Sequence, residues 1–132
     1  MSRRAVESVG FLDERLQYCM DYDLWIRLGR GNKVKFINDN MAYSRMYPDN
    51  KTLKFRRLIF QEIIRTVKRH YGYVPFSWVH GYSNFLYNGA DQFFNKKSPA
   101  KAVNIMAYLL FVFYNLDRPD YVWTTVRQQR HR

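Results

Sequence analysis

Lys33-Val34-Lys35-Phe36-Ile37 alternates polar and apolar side chains with the two-residue period of a half-buried β-strand. A strand constrains a chain more than a helix does, because its backbone groups need a neighbouring strand to pair with. Asn38-Asp39-Asn40 follows as a turn, and residues 41–46 read as a second strand, ended by Tyr47-Pro48-Asp49-Asn50. Ahead of this pair, residues 21–29 carry helical spacing, with Gly29 and Gly31 as C-terminal breakers. Helix, strand, turn, strand in that order predicts the edge of an α/β sheet.

The remainder reads as helical. Residues 5–9 form a short amphipathic element closed by Gly10, and residues 11–20 a loop with one helical turn. Leu58, Ile59, Glu62, Ile63 and Val67 stand at helical spacing in a predicted helix over residues 53–70, with Arg56, Arg57, Arg65, Lys68 and Arg69 around them. Residues 76–94 predict a further helix whose aromatics suit core packing, and Pro99 suits the first turn of a last one. Beyond it, Tyr121, Trp123 and residues 127–132 suit contact with a membrane or nucleic acid, but read more simply as a frayed basic terminus. The organisation expected is an α/β part at residues 1–52 and a helical, basic, aromatic-rich extension at residues 53–132.

The chemistry concentrates in Asp21-Tyr22-Asp23-Leu24-Trp25, two carboxylates one residue apart where a loop becomes a helix. A carboxylate in a helix's first turn faces N–H donors and the positive end of the macrodipole, which favours its ionised form. Such a group caps the helix, takes a proton from an alcohol, or binds a cation. His70, His80 and His131 lack metal-ligand spacing, and no metal site is assigned to any residue.

With its flanks, this stretch resembles the acceptor-side half of family-2 glycosyltransferases. Arg3 and Arg4 match that family's arginine-bearing strand, and Gly10-Phe11-Leu12-Asp13-Glu14 its "G-F-D-E"-like loop. Asp21, Asp23, Leu24, Trp25, Arg27 and Leu28 match "E-D-x-D-L-W-x-R-L", and residues 42–52 resemble its "Y-R-x-H…S/K-x-T" segment. Met20 stands where the family has Glu, and Tyr47 where it has His.

The resemblance implies the C-terminal part of a GT-A, Rossmann-like α/β domain with a mostly helical extension. It implies inverting transfer of a sugar from a nucleotide-sugar donor to the hydroxyl of a glycan or lipid-linked acceptor. Asp21 would be the base; Asp13, Glu14, Asp23 and Trp25 would bind acceptor; Arg45 and Tyr47 would meet the donor diphosphate. A divalent cation, Mg or Mn, is expected in the whole enzyme on a D-x-D motif that ends a strand. Asp21-Tyr22-Asp23 opens a helix instead, so it is not read as that motif. Met1 falls where the family has an internal strand residue, so the chain is expected to be a piece without the nucleotide-binding half, inactive in isolation.

Charge frames the competing reading. The net charge of +11 lies mostly outside the matched region: residues 1–52 carry nine basic and seven acidic side chains, residues 53–98 eight and two, and residues 99–132 five and two. A non-catalytic basic module on a membrane surface or nucleic acid would share this pattern. No RNA-binding fingerprint occurs, and the aromatics fall at core-like spacings, which disfavours nucleic acid. Ile105-Met106-Ala107-Tyr108-Leu109-Leu110-Phe111-Val112-Phe113-Tyr114 is apolar throughout but shorter than the ~20 residues that span a bilayer. It suits either an interfacial helix with a basic collar or a buried one. The single Cys19 excludes an internal disulfide and suits a reduced, cytoplasmic setting, with the cytoplasmic face of a membrane as the place of any peripheral contact.

Overall fold

The computed structural model describes residues 3–43, 45, 47, 50–89 and 100–129. Helices α1 (Arg3–Val9), α2 (Met20–Gly31), α3 (Lys51–Lys54) and α4 (Arg56–Tyr71) are followed by α5 (Phe76–Asn88), α6 (Lys101–Tyr114) and α7 (Pro119–Gln129). Among the described residues no strand occurs, which overturns the α/β, Rossmann-like expectation. Residues 33–37 and 41–43 are irregular and exposed, although their side chains alternate as a strand's would. Alternation provides a face to bury but no neighbouring backbone to pair with. Val34, Phe36, Ile37, Met41 and Tyr43 accordingly stand in solvent.

Arg3 and Arg4 belong to a helix rather than a strand, where Arg3 pairs with Glu7 one turn on. Gly29 lies within α2, which runs to Gly31, while Gly10, Gly72 and Gly89 end α1, α4 and α5 with positive φ. The helix foreseen over residues 53–70 is two helices that meet at Phe55. The supposed frayed terminus is α7 as far as Gln129. Pro99 lies outside the described residues, as do residues 90–94 of the helix foreseen over 76–94.

The chain divides into two compact units, Met1–Glu62 and Ile63–Arg132. In the first, α1 packs on α2, and Cys19, Leu24, Ile26, Leu28, Ile59 and Phe60 are buried. Glu62 accepts the backbone N–H groups of Gln17, Tyr18 and Cys19 at 2.9, 2.6 and 2.9 Å. It thereby fixes the turn that enters α2, whose N-cap residue, Cys19, makes no side-chain cap bond. Lys51 reinforces the same turn by donating to the Gln17 carbonyl at 2.7 Å.

Desolvation raises the Glu62 pKa, but the three N–H donors and the Cys19 thiol outweigh it and hold the carboxyl below its ordinary value. The stability this contributes is complete above the unfolded value, about 4.3, and is lost as pH falls through the lower folded value. Glu62→Gln is expected to lower stability at neutral pH by about 2 kcal/mol. It should also flatten the decline of melting temperature below about pH 5, and identical acid profiles for the two proteins would refute this role for Glu62.

In the second unit α5 packs along α6. Val79 and Tyr82 of α5 and Val103, Ala107 and Phe111 of α6 are buried, as are Ile63, Ile64, Val67 and Val74. Phe76 meets Phe111 edge-on at 5.5 Å and Tyr108 at 4.9 Å, and Tyr82 is buried, whereas Tyr87 is exposed, so the core role expected of the aromatics holds for only part of the set. Lys68 donates to the Tyr114 carbonyl at the C-terminal end of α6 and pairs with Asp117. A cation there suits the negative end of the helix dipole.

Candidate functional site

The five-residue stretch at the start of α2 sorts its side chains by helical position. Asp23 is 1% exposed, and its carboxylate takes the Arg27 Nε–H at 2.8 Å. The same guanidinium donates to the carbonyls of Val9, Gly10 and Phe11 at 2.6, 3.0 and 2.7 Å. Gly10 makes the turn with φ +82, a conformation that leaves those carbonyls within reach of one planar fork. Asp23 and Arg27 thus clamp the loop after α1 onto α2.

Asp21 and Trp25, one turn apart, face outward on the same helix. Both are exposed, and the Asp21 Oδ1 accepts only the adjacent Tyr22 N–H, at 2.7 Å, among the described residues. Gly29 continues the row, and a Cβ placed there would meet nothing within 4 Å. The face therefore runs from a carboxylate through an indole to bare backbone.

Asp13 grips Arg15 through both oxygens, at 2.9 and 3.1 Å, and accepts the Arg15 backbone N–H as well. Glu14 is exposed beside it. Arg45 and Tyr47 are exposed, and their carbonyls accept from the side chain and backbone of Asn50, which also caps α3 through Thr52 N–H. Among the described residues no hydrogen bond or ion pair joins Asp21 to Arg45 or Tyr47.

The Asp23 carboxylate is taken up by Arg27, and among the described residues no three His, Cys, Asp or Glu side chains converge. Reasoning from sequence missed the organising roles of Glu62 and Arg27. One signal existed for Glu62: between Asp49 and Asp91 it is the only acidic residue, set in a strongly basic helix. No family model matches the chain, and neither a curated protein nor a solved structure is found to be similar to it.

Proposed function

We propose that the outward face of α2 receives a sugar acceptor and that Asp21 is the base of an inverting glycosyl transfer from a nucleotide-sugar donor. The observation that carries the reading is the division of labour within one helix. Asp23 and Arg27 are committed to structure, while Asp21 and Trp25 stand accessible in successive turns. An indole offers a flat apolar plate for the C–H face of a pyranose, and a carboxylate accepts a hydroxyl hydrogen beside it. In the transfer the acceptor oxygen bonds to the anomeric carbon as the carbon–oxygen bond to the diphosphate breaks. The electron pair leaves with the diphosphate, and the hydroxyl proton passes to Asp21. Arg45 supplies a forked cation to the diphosphate and Tyr47 a phenolic donor. Glu14 and Asp13 lie on the loop that Arg27 fastens, where an acceptor's further hydroxyls would be met.

The decisive measurement uses the chain joined to a nucleotide-sugar-binding domain. Asp21→Asn is expected to lower the transfer rate by well over tenfold, more than about 1.4 kcal/mol of barrier, with nucleotide-sugar affinity unchanged. Trp25→Ala should weaken acceptor binding in saturation-transfer NMR of the chain itself with neutral oligosaccharides. Transfer by Asp21→Asn within tenfold of the parent would defeat the assignment.

A further inference from the structure

Helix α6 buries one face and leaves the other bare. Val103, Ala107 and Phe111 are 0% exposed, whereas Ile105, Leu109, Phe113 and Leu116 are each 63–67% exposed and Val112 is 40% exposed. Steps of three and four residues gather these five into one stripe that continues into the turn after the helix. At 1.5 Å per residue the stripe is about 16 Å long. Lys101, exposed one turn before Ile105, stands at its head. Apolar stripes of this kind mark a surface that something covers.

The net charge of the unit selects the occupant. Residues 63–132 carry ten basic and three acidic side chains. A second copy would bring the same positive excess against it, whereas an anionic lipid surface meets it with opposite sign. With 14 residues α6 is too short to cross a bilayer, and among the described residues no helix is long and apolar enough to do so. Lying in the plane of the interface requires only one apolar face.

We propose that α6 docks on anionic membrane surfaces, with Ile105, Leu109, Val112, Phe113 and Leu116 entering the acyl boundary and Lys101 held at the lipid phosphates. The inference is independent of the sugar-binding face, which lies in the other unit.

Cosedimentation of the full chain with phosphatidylcholine–phosphatidylserine vesicles, and with pure phosphatidylcholine vesicles, tests it. The parent chain is expected to bind the anionic vesicles and not the neutral ones. The double substitution Leu109→Glu, Phe113→Glu should lower the partition coefficient at least tenfold while circular dichroism and melting temperature stay unchanged. Lys101→Glu should lower it about fivefold or more. Failure of the parent to bind anionic vesicles, or equal binding by the double variant, would overturn the proposal. So would a dimer in light scattering that the double variant abolishes, since a second copy would then own the stripe. Asp21→Asn and Trp25→Ala should bind vesicles like the parent, which keeps this test separate from that of the transfer reaction.

Discussion

Arg27→Met is expected to destabilise the protein by about 3 to 5 kcal/mol, the range for deleting one partner of a buried ion pair. The cost arises from what is left behind. Asp23 would keep a carboxylate with 2% side-chain exposure and lose its 2.8 Å guanidinium contact. Three carbonyls, those of Val9, Gly10 and Phe11, would lose their shared donor at the same time. Arg27→Lys is expected to recover only part of the loss, since an ammonium cannot present the planar fork that serves four acceptors. Asp23→Leu in the Arg27→Met background should recover more, because an apolar pair leaves no buried charge unmatched. Urea unfolding followed by circular dichroism measures all three. A loss below about 1 kcal/mol for Arg27→Met would mean that the clamp does not hold the loop.

This clamp also shows what could and could not be read from the chain. Its residues were visible as a motif, and the helix that carries them was expected from their spacing. The assignment of Arg27 to carbonyls 16 to 18 residues away was not visible, because it depends on where a loop folds back. Glu62 and its three N–H partners, 43 to 45 residues distant, are hidden for the same reason. The helices were legible where burial repeats locally: Ile59, Ile63 and Val67 are all buried in α4 at four-residue steps. The strand expected at residues 33–37 failed, as did the described part of the one at 41–46, because a strand is completed by another strand, which a local pattern cannot supply. Ser44 and Met46 of the second one lie outside the described residues. The apolar run of α6 was legible as apolar, but only the fold separates Phe111, which is buried, from Leu109 and Phe113, which are not.

Asn115→Asp, a change of one amide to one carboxylate, is expected to cost about 3 kcal/mol or more at neutral pH. Asn115 is 0% exposed and closes a complete exchange with Val74: its Oδ1 accepts the Val74 N–H at 2.7 Å, and its Nδ2 donates to the Val74 carbonyl at 3.1 Å. The same Nδ2 donates to the Phe111 carbonyl at 2.9 Å. It joins the segment after α4 to the end of α6 with every partner satisfied. A carboxylate in its place would still accept from Val74, but would turn a negative oxygen towards two carbonyl oxygens in a site without water-facing surface. Burial and those dipoles would raise its folded pKa above the unfolded one. Stability would therefore be greatest below the ordinary aspartate value, about 3.9, and would be lost as pH rises through the folded value. Asn115→Leu removes the charge but leaves the Val74 N–H and two carbonyls unmatched, so it should be destabilised by about 2 to 3 kcal/mol at every pH. The two variants are thus distinguished by slope: thermal melts from neutral to acid pH should show Asn115→Asp gaining on Asn115→Leu as protons bind. Parallel profiles would mean that position 115 admits water in solution, and that Val74 and α6 are held together by their apolar contacts alone.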